Sequence, residues 1–407
     1  MNKRMDRSKL QIGVYHLQPY ARTEAHIKDL ADCGIDFVIC LNNDRAALDL
    51  FEKYGVGAIV SGIVPGWWGG DGDNAGQFAA THPLEKYVEA AEKFVDHPAI
   101  WGIDCGDEPS ALDFPHYGKV MELVNQRFPN QFAYLNLYPN YASVAQNNAV
   151  QTVNQLGTTT YAEHIAEYCK HVSVDYLCYD FYIYSINVTK AYENLRIVSD
   201  ACLKSGRDMW IVLQVNSSDP NYWISENNLR FQAFSAMAFG ARNITWACYT
   251  AGWWHNQVVD GNGEKTEQYE KLKKVNAEIK TIAEEYMKYR RVSTHFVGFS
   301  GTEWLEKVEQ EPIDALSTGI FQNVRAEGGE AIVVGQMVSL NQDDKYALMI
   351  CAADDPYEKS PKTYRIRFTC DRAVRALGGN GKVAVEALGN GEYAVTVSSN
   401  EGLLLMA

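Results

Sequence analysis

Apolar residues in the first 290 positions fall into eight short runs separated by longer amphipathic stretches. The runs cover residues 10–17, 36–42, 56–64, 100–106, 132–138, 174–182, 209–215 and 244–250. Apolar strands that alternate with amphipathic helices are typical of parallel strands buried on both faces. Eight such units predict a (β/α)8 TIM barrel over residues 8–290.

The hydrophobic pattern changes near residue 291 to strict alternation with a period of two. Examples are GEAIVVGQMV, KYALMICAA, TYRIRFTC, KVAVEAL and YAVTVSS, which are divided by Gly- and Asn-rich turns. Short alternating strands with such turns predict an antiparallel β-sandwich. We therefore expect a C-terminal all-β domain over residues 291–407.

Composition and charge narrow the possible partners. Of the 407 residues, 46% are hydrophobic and 22% are charged, which indicates a folded globular chain. The net charge of −14 and the small basic cluster at 271–274 argue against nucleic acid as a partner. No run reaches the ~18 apolar residues of a membrane helix, so we expect no membrane association.

The cysteines and the N-terminus bear on location. Nine cysteines are scattered without close pairs, and several lie in apolar runs, which favours buried free thiols in a reducing compartment. The first residues contain no apolar leader segment. The sequence therefore predicts a cytoplasmic protein, and a secreted protein whose leader has been removed is the alternative.

Polar and aromatic side chains cluster where the eight apolar runs end. The reactive groups of a TIM barrel lie at the C-terminal ends of its strands, so we expect these side chains to line one acidic, aromatic pocket. Any one of them could be a polar side chain at the rim of the barrel whose hydrogen bonds are made within the protein, but the whole set favours a binding site. The expected binding residues are His16, Asn42, Trp67, Trp68, Asp104, Asn136, Tyr138, Tyr182, Gln214, Trp253 and Trp254.

The segment IDCGDEPS at the end of the fourth run carries the strongest chemical signal. Side chains alternate along a strand, so Asp104 and Glu108 share the side that faces the barrel interior if the strand stays regular. Pro109 ends the strand and leaves Glu108 at the mouth. Partial burial of a carboxyl among aromatic rings favours its protonated form, which predicts a general acid. The alternative is a helix-capping or ion-paired glutamate.

These motifs resemble those of the retaining glycoside hydrolases of clan A. More closely, the chain is similar to a group of glycosidase-like bacterial proteins that are classified beside β-galactosidases. The similarity rests on DEPS after strand four, on YDFY at 179–182 and on AMAFGA at 236–241. It implies a carbohydrate substrate and O-glycosyl hydrolase activity, and it covers about residues 10–290.

The chain departs from the clan's pattern at two positions. The clan's motif is Asn-Glu-Pro, and this chain has Asp107 in place of the asparagine. The clan's nucleophile is a glutamate at the end of strand seven, and this chain has Gln214 at or near that position. A glutamine cannot form the glycosyl ester of a retaining mechanism. The resemblance therefore implies Glu108 as the acid/base residue, with Asp107 the next candidate for the acid, but it provides no nucleophile at strand seven.

Three interpretations follow from these departures. In the first, the enzyme inverts, with Glu108 as the acid and Asp180 as the base. In the second, another carboxylate or a substrate group is the nucleophile. In the third, the barrel binds sugar without cleaving it. No GxSxG segment is present. No HxH or HExxH segment is present either, so we expect no metal and no cofactor.

Overall fold

A computed structural model of the protein describes residues 4–67, 74–143, 155–185, 188–299, 312–342, 344–353, 357, 361–398 and 400–407, with 188 and 189 described by their backbone alone. Eight parallel strands form a closed barrel in chain order, and β8 pairs with β1. The prediction of a TIM barrel is confirmed. The strands are β1 Gln11–Tyr15, β2 Phe37–Asn42, β3 Gly57–Ser61, β4 Ile100–Asp107, β5 Phe132–Leu137, β6 Tyr176–Phe181, β7 Asp208–Gln214 and β8 Ala241–Ala247.

Helices surround the barrel, and their ends can be read from the sequence. Thr23 and Asp44 cap the first two helices by accepting backbone N–H groups, and Gly55 ends the second with a φ of 70°. The helices are α1 Glu24–Asp32, α2 Arg45–Tyr54, α3 Phe78–Thr81, α4 Leu84–Glu92, α5 Phe114–Arg127, α6 Tyr161–His171, α7 Val188–Ser205, α8 Glu226–Ala238 and α9 Glu267–Tyr286.

The barrel interior is filled by aromatic rings, which glycines on neighbouring strands accommodate. A Cβ atom on Gly13 would lie 2.3 Å from the ring of Phe37, and one on Gly102 would lie 2.9 Å from the ring of Phe132. These rings close the middle of the barrel, so a cavity can form only at its ends.

The C-terminal region is a sandwich of two antiparallel sheets, as predicted. One sheet has the order β15-β14-β18-β12-β11-β9 and the other has the order β10-β13-β17-β16. A separate hydrophobic core between them includes Val334, Ile350 and Leu405 from the first sheet and Ile366 and Phe368 from the second. The strands are β9 Tyr289–Val297, β10 Phe321–Ala326, β11 Ile332–Ser339, β12 Tyr346–Ala352, β13 Thr363–Cys370, β14 Arg375–Gly378, β15 Gly381–Val383, β16 Glu386–Gly389, β17 Glu392–Ser398 and β18 Leu403–Met406.

The six-stranded sheet also packs on the barrel through its other face. Val333, Met349 and Leu404 alternate with the residues of the sandwich core and join the core of the barrel beside α8. This packing explains why α8 is buried on all sides. The predicted boundary between residues 290 and 291 lies inside β9, and the division into two domains stays a prediction.

Within the described ranges, no helix is long and apolar enough to cross a membrane.

Candidate active site

A cavity of about 910 Å³ opens at the C-terminal ends of the barrel strands. Its size lies within the ~300–1,000 Å³ that is typical of small-molecule sites. The side chains around it come mainly from the ends of β1, β2, β4, β5 and β6 and from the loops after β3 and β8. The lining residues are Tyr15, His16, Cys40, Gly66, Trp67, Asp104, Gly106, Asp107, Glu108, Asn136, Asp180, Tyr182, Trp253 and Trp254.

Ten of the fourteen residues expected at the site line this cavity. They are His16, Trp67, Asp104, Asp107, Glu108, Asn136, Asp180, Tyr182, Trp253 and Trp254. Trp68 lies outside the described residues. The other three, Asn42, Tyr138 and Gln214, are not among the lining residues, so the structure corrects their placement.

Gln214 is fully buried, and its amide has two protein partners. Its Oε1 accepts the N–H of Tyr184 at 2.9 Å, and its Nε2 donates to Ser185 Oγ at 3.1 Å. The segment after β6 therefore covers the end of β7. Gln214 holds this segment in place, and it is not among the residues that line the cavity.

Asn42 and Tyr138 are displaced for different reasons. The pairing of β2 with β3 shifts register between Ile39 and Leu41, which leaves Asn42 exposed, where it accepts a hydrogen bond from Ser61 Oγ. Cys40 lines the cavity in its place. Tyr138 follows the end of β5, is 3% exposed and packs in the hydrophobic core of the barrel.

Backbone strain is concentrated at the cavity. His16, Cys40, Glu108 and Trp254 have positive φ angles of 67°, 60°, 44° and 57°. The other positive-φ residues among the described non-glycine positions are all asparagines, which tolerate this conformation. Strained conformations of other residue types cost free energy and cluster at functional sites. This clustering is independent evidence that the cavity is functional.

Glu108 reaches the mouth through an irregularity in β4. The pairing of β4 with β5 shifts between Asp104 and Asp107, so both aspartates line the cavity although they are three positions apart. The strand does not stay regular as far as Glu108, which was the condition for the expected alternation, but Asp104 and Glu108 both line the cavity. Glu108 is half-buried, and its backbone N–H donates to the carbonyl of Asn136 at 2.9 Å.

A hydrogen-bond network connects the carboxyl groups of β4 and β6. Asn136 Nδ2 donates to Asp107 Oδ1 at 3.1 Å and to Asp180 Oδ1 at 2.7 Å. The hydroxyl of Tyr15 donates to Asp107 Oδ2 at 3.0 Å. Both oxygens of Asp107 thus accept hydrogen bonds, which favours its charged form.

The environment raises the pKa values of these aspartates. Burial and the charge of Asp107 raise the pKa of Asp104 to about 7 and that of Asp180 to about 8. Burial also raises the pKa of Asp107, against the effect of its hydrogen bonds. Asp180 is 2% exposed, and its Oδ2 has no hydrogen-bond partner among the described residues. Burial and the neighbouring charge thus both favour the protonated form of Asp180 beside the cavity.

Aromatic rings form the walls of the cavity. Trp253 is stacked on Tyr15 with ring centroids 5.6 Å apart and lies 5.1 Å from His16. Trp254 contacts Tyr182 edge-to-face at 4.7 Å. Trp67 is stacked on Phe78. Such flat apolar surfaces beside carboxyl groups suit a ligand with apolar faces and hydroxyl edges.

Four lining residues were not expected from the sequence: Tyr15, Cys40, Gly66 and Gly106. Tyr15 ends the first strand and precedes His16, so its position was a usable signal. Cys40 lies in an apolar run and was expected to be a buried thiol; it faces the cavity because of the irregularity in β2. Its thiol donates to Asp104 Oδ2 at 3.6 Å.

Among the residues with described positions, no group of three or more His, Cys, Asp and Glu side chains is arranged to hold a metal ion.

The chain matches no protein-family model and no curated protein. Two solved structures are similar along nearly its whole length. A cycloisomaltooligosaccharide glucanotransferase from Paenibacillus sp., complexed with cycloisomaltoheptaose, has a TM-score of 0.57 at 9% identity, over 98% of this chain and 85% of that chain. A catalytic mutant of a GH42 β-galactosidase from G. stearothermophilus has a TM-score of 0.56 at 8% identity, over 99% of each chain. These similarities show a shared fold.

Proposed function

We propose that the protein hydrolyses a glycosidic bond in a carbohydrate, with Glu108 and Asp180 as its catalytic pair. The observation that carries the proposal is the arrangement of four carboxyl groups and five tyrosine and tryptophan side chains around one strained cavity at the C-terminal end of the barrel. The fold shared with a β-galactosidase supports the same reaction class. The membership in the narrower group with the DEPS motif stays a prediction.

The electrostatics favour an assignment of roles that differs from the sequence expectation. Asp180 was expected to act as the base, but burial and the charge of Asp107 raise its pKa, which favours its protonated form. We therefore assign proton donation to the leaving group to Asp180. Glu108, which is half-buried at the mouth, acts as the general base on water.

Asp107 has a supporting role in this mechanism. Hydrolysis of a glycoside passes through a transition state with positive charge on the sugar ring. Asp107 accepts hydrogen bonds from Tyr15 and Asn136, which fix its orientation and favour its negative charge. A fixed carboxylate at this position stabilises the developing positive charge.

The charge of the cavity favours a neutral or cationic sugar. Among the described lining residues there are four carboxyl groups and neither arginine nor lysine. Burial and the charge of Arg22 lower the pKa of His16, so its imidazole is neutral at pH 7. A uronic acid would meet negative charge without a balancing cation.

Leaving-group dependence tests the proposal and the two roles. Asp180→Asn should lower turnover by ~10²–10⁴-fold on oligosaccharides and much less on activated aryl glycosides, because good leaving groups need no proton. Glu108→Gln should lower turnover on both classes, because water attack is needed for each. Asn42→Ala, at an exposed position outside the cavity, is the matched control and should retain activity.

The opposite pattern would reverse the assignment. A selective loss on poor leaving groups in Glu108→Gln would make Glu108 the acid, as the sequence suggests. A wild type that binds oligosaccharides but cleaves none of a broad panel would refute hydrolysis. The non-catalytic carbohydrate-binding barrel, which the absence of a carboxylate at Gln214 favours, would then take its place.

A further inference from the structure

We propose that a small monovalent anion of the halide class, such as chloride, binds at the end of the barrel opposite to the active site. A crevice there lies between α7, the starts of β7 and β8, and β9 of the C-terminal sheet. Four arginines line it: Arg207, Arg242, Arg290 and Arg291. This concentration of positive charge stands out in a chain with a net charge of −14.

The carboxylates near these arginines do not balance their charge. Asp200 pairs with Arg291 at 2.7 Å, and Asp208 pairs with Arg242 at 3.3 Å. Asp208 also binds Arg7 at 2.6 Å, but Arg7 pairs with Asp175 as well, at 3.3 Å, so it adds no net charge. Among the lining residues and their ion-pair partners in the described chain, positive charge still exceeds negative charge. Arg291 is buried and the other three lining arginines are half-buried, and a partly buried excess of positive charge favours an anion.

Three hydrogen-bond donors at the crevice are buried without a partner among the described residues. They are Ser199 Oγ, Arg207 Nη1 and Arg291 Nη1. Ser199 is 3% exposed and Arg291 is 8% exposed. A buried donor without a partner costs free energy, and more so when it is charged. One anion that accepts from all three would remove this cost.

The arginines are held in place by their remaining N–H groups. Arg291 donates through Nε to Thr294 Oγ1 and through Nη2 to Asp200, both at 2.7 Å. Arg207 donates through Nη2 to the carbonyls of Cys169 and Val172 at 3.0 and 2.7 Å. The site is thus preorganised, and little side-chain entropy is lost when an anion binds.

The size of the crevice selects the anion. Its volume is about 30 Å³, and a single water molecule needs ~10–15 Å³ on the same measure. This is room for about two water molecules or one halide ion, and it is small for a sulfate or phosphate ion. Phe239 and Met337, which are buried, are among the apolar side chains of the lining, and they lower the local dielectric constant beside the arginines.

Chloride titration at constant ionic strength tests the proposal. Sodium chloride replaces sodium gluconate, whose anion is too large for the crevice, and the melting temperature is measured. Wild type should show a saturable rise of about 1–4 °C. Ser199→Ala and Arg207→Lys should each raise the half-saturating chloride concentration about tenfold, because a hydrogen bond to the ion is lost or misplaced.

Ser205→Ala, on the exposed side of the same helix, is the matched control and should leave the half-saturating concentration unchanged. The absence of a saturable chloride effect in the wild type would overturn the proposal. So would an effect that both Ser199→Ala and Arg207→Lys leave unchanged. The melting temperature and the half-saturating chloride concentration do not depend on glycosidase activity. Failure of the anion proposal can therefore be distinguished from failure of the proposed enzymatic function.

Discussion

At the scale of single residues, the cavity combines backbone strain with carboxyl groups that are hard to ionise. Backbone strain and a raised carboxyl pKa both cost stability, and they occur at neighbouring residues. Cys40, which has a left-handed backbone conformation, donates a hydrogen bond to Asp104, whose pKa is raised to about 7. Neither feature stabilises the barrel, and strained or hard-to-ionise residues of this kind are typical of functional sites.

The raised pKa of Asp104 predicts a specific pH dependence of stability. The pKa of Asp104 is ~3.9 in the unfolded chain and about 7 in the folded protein, so between these pH values only the folded state binds the proton. The proton's contribution to the free energy of unfolding is therefore full below pH ~4 and is lost as the pH rises through 7. Asp104→Asn should therefore be more stable than wild type at pH 9, by roughly 1–3 kcal/mol, and the gain should shrink at pH 5. Urea unfolding at both pH values measures this.

The exposed residue Asp371 provides the control for this experiment. Asp371→Asn should show no comparable gain at pH 9. If Asp104→Asn were equally stable relative to wild type at both pH values, Asp104 would not carry a proton in the folded state.

At the scale of elements, α8 packs between the barrel and the six-stranded C-terminal sheet. Strand β11 approaches it so closely that a Cβ atom on Gly335 would lie 2.1 Å from the carbonyl oxygen of Ala238. Gly335→Ala must push two backbone segments apart, so we expect a loss of about 1–3 kcal/mol in the free energy of unfolding. Thermal or urea unfolding measures the change.

Gly319→Ala is the matched control, since a Cβ atom there would meet nothing within 4 Å. It should change stability by less than ~0.5 kcal/mol. Equal effects of the two substitutions would show that β11 is not fixed against α8.

At the scale of the whole molecule, the barrel and the six-stranded sheet share one hydrophobic core. Leu404 is fully buried in this core, at the side of β18 that faces the barrel. We expect a single cooperative heat transition for the whole chain, and Leu404→Ala should lower its free energy of unfolding by about 2–5 kcal/mol. Calorimetry tests both statements.

Leu340 is 50% exposed, so Leu340→Ala should leave the transition within ~0.5 kcal/mol of wild type. Two separate transitions, with only the smaller one shifted by Leu404→Ala, would show that the two units unfold independently.

The order and period of apolar residues determined the fold. Eight apolar runs separated by helical patterns specify a parallel barrel, and the change to a period of two specifies a sandwich, because each period places one face of each element in a core. The ends of the runs also identified most of the cavity, since parallel strands bring their C-terminal ends to one side. Glu108 and Asp180 were identified in this way.

Other features depend on contacts between distant residues, which only the tertiary structure decided. The irregularities in β2 and β4 placed Cys40 and Asp107 at the cavity, and the segment after β6 removed Gln214 from it. The protonation of Asp180 depends on burial and on a charge from another strand. The arginine crevice joins α7, β8 and β9, which are far apart in sequence, so no local pattern could reveal it.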